Sequence, residues 1–300
     1  MVQRVTSTTI SNTLLTDLQR AARRMADSQG RISSGKAIQR PSDGPAATLR
    51  ALDTRAELRR QAQYERNATD AEGWLNMADA TLMTSVERLT RARDLLVGAV
   101  NGAADQRSRD ASAAEVESIR SELIDMANTS YLGRPLFAGS ASTPTAYTDA
   151  GEYQGDGAPI TRAIGPGSEV QVNVSGETVF GVRDPGDPAN GDLFQVLEQA
   201  VADLRAGDVA AAGQGLERID AAMDRIGVSQ ATLGTRARQL EAQASRNSST
   251  TIDLKAGLSE VEDIDYAQAI IEVKTEEMAY QAALSVTAKV IQPTLIDFLR

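Results

Sequence analysis

Apolar residues recur every three or four positions over long stretches of this chain, and the recurrence lapses in one region near the middle. Leu14, Leu18, Ala21, Met25, Ser28 and Ile32 step by alternating fours and threes, with Asp17, Arg20 and Arg24 off that line. Such spacing predicts an amphipathic helix with a heptad seam. Leu75, Ala78, Leu82, Ser85, Leu89, Ala92 and Leu96 repeat the pattern, and Val116, Ile119, Leu123 and Met126 carry it on a shorter helix. The longest seam runs Leu216, Ile219, Met223, Ile226, Gln230, Leu233, Ala237, Leu240, Ala244, Asn247, Thr251, Leu254, Leu258 and Val261. At ~1.5 Å per residue it predicts a helix of roughly 70 Å. Gly227 and Gly234 are expected to weaken that helix without ending it. Gln230, Asn247 and Thr251, polar on the seam, read as register devices.

Residues 129–191 have a different texture, rich in Gly, Pro, Ser and Thr. APITRAI (158–164) and EVQVNV (169–174) alternate as strands do, with GPG (165–167) joining them. SGE (175–177) reads as a turn into TVFG, and DPGDPANGD (184–192) as the loop back into a helix at Leu193. The closing segment is helical again, with Ile271, Met278, Leu284, Ile291, Leu295 and Leu299 as its larger apolar anchors. Pro293 sits inside that pattern. An interior proline costs about 3 kcal/mol, so a kink or restart is expected there.

These elements predict a mainly α chain: a long antiparallel, coiled-coil-like helical rod with paired terminal helices and a small β-rich inserted domain. The expected division is a terminal coiled-coil assembly domain (1–42 plus 262–300), an inner helical rod domain (43–128 plus 192–261) and an outer β-rich insertion (129–191). The final segment has six large anchors in about 35 residues, and ordering costs about 1.5 kcal/mol per residue. Both ends are therefore expected to be mobile in the free monomer and to order on assembly. The candidate assembly and partner-binding residues are Leu14, Leu18, Met25, Ile32, Ile271, Met278, Leu284, Ile291, Leu295 and Leu299.

Composition narrows the chemistry. The chain has no cysteine and no histidine. Disulfides, zinc sites built on Cys or His, and Cys–His or Ser–His–Asp catalysis are excluded. Aromatics are only 4% of the residues, which favours long helices over an aromatic-rich globule. No apolar stretch approaches the length of a membrane span. The opening MVQRVTSTTISNTLLTDL has no continuous apolar region, so a cleaved secretory peptide is not expected.

The net charge of −10 is unevenly spread. Residues 1–66 hold twelve Lys/Arg against six Asp/Glu, whereas 252–277 hold two against eight and 110–220 six against eighteen. The basic N-terminal arm is expected to lie against acidic segments of its own chain or of a neighbour. Without interleaved aromatics, and with an acidic remainder, it is not expected to bind nucleic acid.

The stretch GRISSGKAIQRPSDGPAATL (30–49) invites two chemical readings. Gly30, Gly35 and Lys36 fit the first seven positions of a phosphate loop, but Ala37 lacks the hydroxyl that holds Mg²⁺ and a helix precedes where a strand is needed. Ser33 and Lys36 form S-x-x-K without its partner K-T-G. The residues are better explained as a joint between helices. Gly35 ends the first in a left-handed conformation, Pro41 blocks continuation, Asp43 caps the second and Pro45 enters its first turn. Glu262, Asp263 and Asp265 lack the pattern of a calcium loop and are expected to offset a helix dipole.

RISSGKAIQRPSDGPAATLRALDTR resembles the N-terminal region of flagellins and flagellar hook-associated proteins. ELIDMANTSYLGRPLFAGS (122–140) resembles the hook-associated protein 3 version, in its A-N-x-x-x-x-G-x-x-x-F-x-G run. GLSEVEDIDYAQAI (257–270) and QPTLIDFLR at the end resemble it too. Gly44 stands where the family usually has a second Asp, and Thr294 where it usually has Ser. The matches frame the whole chain, while the insertion itself matches nothing. The resemblance implies a structural subunit of the bacterial flagellum at the hook–filament junction. It implies assembly with copies of itself, hook-associated protein 1 on the hook side, flagellin on the filament side, and an export chaperone. It also implies an extracellular position reached by type III export. No cofactor, catalysis, nucleic-acid or membrane partner is expected. The competing readings are flagellin itself and a non-flagellar coiled-coil adaptor.

Overall fold

The computed structural model describes residues 7–101 and 104–291. Helices dominate: α1 (Ser7–Ser34), α2 (Pro45–Val100), α3 (Gln106–Ala127), the short α4 (Gly176–Phe180), α5 (Leu193–Ala206), α6 (Val209–Glu262) and α7 (Tyr266–Ile291). Strands are confined to β1 (Ser130–Tyr131), β2 (Arg134–Pro135), β3 (Thr161–Gly165) and β4 (Ser168–Gln171), which form two antiparallel pairs, β1–β2 and β3–β4. The chain divides into two units, one from residues up to 60 and from 250 onward, the other from residues 61–249. The long helices α2 and α6 contribute to both.

Local chemistry sets the helix ends. Pro45 opens α2, where its missing N–H is no loss. Asp105 caps α3 by accepting from the Ser108 amide at 2.9 Å. Asp192 and Gln195 form a reciprocal capping box at the start of α5, and Gly207 ends that helix in the left-handed region.

Within the 61–249 unit the seams meet. Every predicted seam position of α2 is buried: Leu75, Ala78, Leu82, Ser85, Leu89, Ala92 and Leu96. On α3, Val116, Ile119 and Leu123 are buried and Met126 packs against the same core. Helices α2 and α6 run antiparallel, tied by Arg93 and Asp220 at 2.7 Å. Helices α3 and α5 pack together, with Arg120 donating to the Phe194 carbonyl at 3.0 Å and Arg205 pairing with Glu117 at 2.6 Å.

The α6 seam corrects the sequence reading. Ile219, Ile226, Leu233, Leu240 and Asn247 are buried as expected, one heptad apart. Between them, Ala222, Ser229 and Gln243 are buried, whereas Met223, Gln230 and Ala237 are half-buried and Ala244 is exposed. Spacing alone leaves the third and fourth neighbours equivalent. Close helix packing favours the smaller groups at 222 and 229. Gln243 is drawn inward by Asn247, whose oxygen accepts from it at 2.8 Å while its amide donates to the Ile164 carbonyl at 2.7 Å. Gly227 and Gly234 lie inside an unbroken helix.

The insertion begins at Asn128, whose side chain mimics a strand partner: its amide donates to the Tyr147 carbonyl at 3.0 Å and its oxygen accepts from the Tyr147 amide at 2.7 Å. The β3–β4 hairpin forms where expected, around Pro166–Gly167, but is shorter than the alternation suggested. TVFG is not a strand. Val179 and Phe180 belong to α4, where they are fully buried. Rings of Tyr147, Tyr153, Phe137, Phe180 and Phe194 pack with centroid separations of 5.0–5.8 Å, so an aromatic cluster, and not an extended sheet, organises this region.

A loop beside that cluster makes an acid-sensitive lock. Asp156 accepts from the Ser140 amide at 2.8 Å, the Ser140 hydroxyl at 2.5 Å and the Ala158 amide at 3.0 Å. The Ser140 hydroxyl first, and the Ala158 amide second, hold its carboxyl down to about 2. Its folded pKa lies below the unfolded value of about 3.9, so the lock is fully present above pH ~4 and fades as the pH falls through about 2. The NMR amide shifts of Ser140 and Ala158 should titrate with a midpoint near the lower value. A midpoint near 4 would contradict the lock.

Candidate assembly interface

The unit formed by residues up to 60 and from 250 is built around two chain reversals held side by side. Gly35, at φ +67°, ends α1 in the left-handed conformation expected of it. Its carbonyl accepts from the Ile264 amide at 3.1 Å, and the Ala37 amide donates to the Glu262 carbonyl at 2.7 Å. The α1–α2 joint and the α6–α7 joint are thus one short antiparallel bridge, Lys36 facing Asp263.

Side chains reinforce it. Lys36 reaches Asp263 at 2.6 Å and Glu262 at 3.4 Å, and Arg55 reaches Glu262 at 2.8 Å. The bond to Asp263 raises the Lys36 pKa, and the same bond lowers that of Asp263. The phosphate-loop lysine of the sequence pattern is therefore an ion-pair partner at a joint. Two further expectations are corrected. Asp43 does not cap α2; its carboxylate turns back to accept from the Gln39 and Arg40 amides at 3.1 and 2.9 Å, because the 3-10 turn Pro41–Asp43 intervenes. Of the acidic trio only Asp265 serves a helix start, accepting from the Ala267 amide at 2.9 Å. Glu262 is the buried end of α6, and Asp263 belongs to the bridge.

A substitution at Gly35 tests the joint. A Cβ there would sit 2.8 Å from the Tyr266 hydroxyl, and the left-handed backbone costs a non-glycine residue about 1–2 kcal/mol. Gly35→Ala should loosen this unit by about that amount, read as faster proteolysis within α1. Adding Tyr266→Ala should relieve the clash and leave the backbone part.

From the joint, α1 and α7 pair antiparallel. Arg24 meets Glu276 at 3.1 Å and Arg31 meets Glu272 at 3.2 Å, so the basic arm does find acidic partners in its own chain. The packing between them is thin. Among the described residues of this unit, every buried apolar residue is an alanine: Ala21, Ala51 and Ala269. Leu14, Leu18, Met25 and Ile32 are half-buried on α1. On α7, Ile271 and Met278 are 67% and 63% exposed, and Leu284 is exposed as well. The side chain of Ile291 and all of Pro293, Leu295 and Leu299 lie outside the described residues. Sequence reasoning missed Leu15, Ile270 and Val286, exposed aliphatics that lie off the seam. The signal was present: α7 is apolar around much of its circumference, and a helix of that kind needs cover on more than one face.

A cleft of about 330 Å³ beside α1 and α7 is lined by Arg24, Arg31, Arg40, Asp27, Asp43 and Glu276. It is an ionic seam already supplied with opposite charges. Among the described residues no cluster of acids is placed to hold a metal, and no helix is long and apolar enough to cross a membrane.

Residues 5–142 match the model of the bacterial flagellin N-terminal helical region, and residues 216–299 that of the bacterial flagellin C-terminal helical region. The two cover about three quarters of the chain. Flagellar hook-associated protein 3 of Escherichia coli K12 is 25% identical over 272 residues, spanning 84% of this chain and 86% of that protein. Flagellin of Bacillus subtilis 168 is 24% identical over 273 residues, spanning 87% and 88%. The fold is similar to the flagellar junction protein FlgL from Legionella pneumophila, with a TM-score of 0.59 and 18% identity over 71% of this chain and 99% of that one.

Proposed function

We propose, from the premise that this chain belongs to the bacterial flagellin family, that it is the subunit linking hook to filament and assembles through its terminal helices. The chain is a structural component of the flagellum. One observation carries the mode of assembly: the unit holding both terminal helices buries only alanines among its described apolar residues, while Leu15, Ile271, Met278, Leu284 and Val286 face solvent. A single copy leaves these groups uncovered. Neighbouring copies would cover them, and the burial would drive polymerisation at about 1.5–3 kcal/mol per large side chain. Leu14, Leu18, Met25 and Ile32 on α1, with Ile271, Met278, Leu284, Ile291, Leu295 and Leu299, are the assembly residues in this reading.

The finer parts of the proposal follow the relatives. Residues 1–42 with 262–300 act as the assembly domain, 43–128 with 192–261 as the inner helical domain and 129–191 as the outer one. The terminal helices become fully ordered only on assembly. Hook-associated protein 1 lies on one side and flagellin on the other, a chaperone holds the chain before export, and its site of action is outside the cell. The role is mechanical and involves no catalysis.

Identity to hook-associated protein 3 and to flagellin is nearly equal. The A-N-x-x-x-x-G-x-x-x-F-x-G run at residues 127–139 favours the junction. In the structure its Asn128 and Phe137 are core members of the insertion. Deleting the chain from a bacterium that carries it should release intact filaments into the medium and leave hooks on the cell. Loss of filament protein itself would favour flagellin.

A further inference from the structure

Two exposed helix faces near the joints are unlike each other and complementary. On α2, Leu49 and Leu52 are 63% and 53% exposed, and Arg59 lies one heptad beyond Leu52. On α6, Ile252 is 64% exposed and is flanked by Asp253 and Glu260, themselves one heptad apart. Each face turns away from the line along which Arg55 and Glu262 join the two helices. Both faces therefore pair exposed aliphatic side chains with charge, basic on one and acidic on the other. Among the described residues neither Arg59, Asp253 nor Glu260 has an ion-pair partner in the chain, although Arg24, Arg31, Lys36 and Arg55 nearby all do. Residues 45–60 carry four Arg against two acids, and residues 250–263 four acids against one Lys.

We infer that the Leu49–Leu52–Arg59 face of α2 docks on the Ile252–Asp253–Glu260 face of α6 in a second copy of this chain. The inference rests on the self-assembly reading above and adds a second contact, distinct from the α1–α7 surface. The faces differ, so the contact is head-to-tail: each copy offers one face forward and the other back, and the series closes into a ring or continues as a helix. A face that docked on itself would place Arg59 against Arg59, or Glu260 against Glu260, and like charges across an interface are repulsive. The aliphatic residues supply burial and the charges set partner and direction.

The absence of native cysteine makes the test clean. Two full-length single-cysteine variants, Leu52→Cys and Ile252→Cys, are mixed at a concentration where the chain self-associates, and treated with a short thiol cross-linker. The expected result is a covalent dimer in the mixture and only monomer with either variant alone. Dimers from one variant alone would indicate a self-docking face and overturn the inference. So would cross-linking, in isolated flagella, to a protein of another mass. Glu260→Arg should raise the concentration needed for self-association about tenfold, and adding Arg59→Glu in the same chain should restore it. Unchanged helicity by circular dichroism separates these effects from misfolding. Met278→Cys serves as the control for the terminal surface. If it cross-links between copies and the 52/252 mixture does not, the docking inference fails and the assembly reading stands. If no variant and no wild-type sample associates, both fail.

Discussion

The paired substitution Ile271→Gln and Met278→Gln should leave the isolated chain as stable as before and raise the concentration required for assembly at least ~100-fold. Both side chains are largely exposed on α7. Exposed substitutions away from special features change stability by about 0.5 kcal/mol or less, and glutamine keeps helix propensity. The assembled state is different. If copies cover these positions, two large aliphatic side chains lose burial of about 1.5–3 kcal/mol each, and ~2.7 kcal/mol already corresponds to a hundredfold change in an association constant. Sedimentation of the purified chain reads the assembly, and filament attachment in cells reads its consequence. If association is unaffected, the exposed apolar face of α7 is not a subunit contact.

The second large effect belongs to the other unit. Phe194→Ala removes a fully buried ring that lies 5.0 Å from Tyr147 and 5.5 Å from Phe180, centroid to centroid. Phe→Ala in a packed core costs about 3–5 kcal/mol, from lost transfer energy and the cavity left behind. The neighbourhood has little freedom to collapse, because a Cβ at Gly151 would already stand 2.8 Å from that of Phe194. With two units, whole-chain unfolding is not a two-state transition, and a signal confined to one unit is needed. Trp74, the sole tryptophan, is buried in the 61–249 unit and supplies it. The denaturant midpoint followed by Trp74 fluorescence should fall markedly, while incorporation of α1 and α7 into assemblies is retained. A loss below about 1 kcal/mol would mean that the aromatic cluster is not the organiser of the insertion.

The helices of this fold were legible because their evidence is local and repeated. Seven consecutive seam residues of α2, from Leu75 to Leu96, are all buried. Where the repeat is ambiguous between third and fourth neighbours, as at Ala222 and Met223, only the partner helix decides. The Gly35 turn was legible for another reason, since only glycine accepts that backbone without strain. Asp43 was misread because its function depends on a three-residue turn that propensity does not specify. The insertion was legible as a change of texture and little more. It is held by contacts with no period, such as Asn128 to the Tyr147 backbone and Arg236 to the Asn173 carbonyl at 2.7 Å, which join positions far apart in sequence. The assembly residues on α7 were named from their size and spacing, but Leu49, Leu52 and Ile252 were not, because exposure of an aliphatic group is invisible until the fold exists.

The bridge between Lys36 and Asp263 spans 227 positions of sequence. Contacts so distant must wait for nearly the entire polypeptide, whichever end emerges first, and loop closure on that scale is slow. The 61–249 unit has a continuous core of its own and can mature early. The joint that sets the terminal helices antiparallel therefore closes last, after the ribosome or any narrow passage has let go of the chain. Premature polymerisation is restrained by chain order alone, without a separate inhibitory segment.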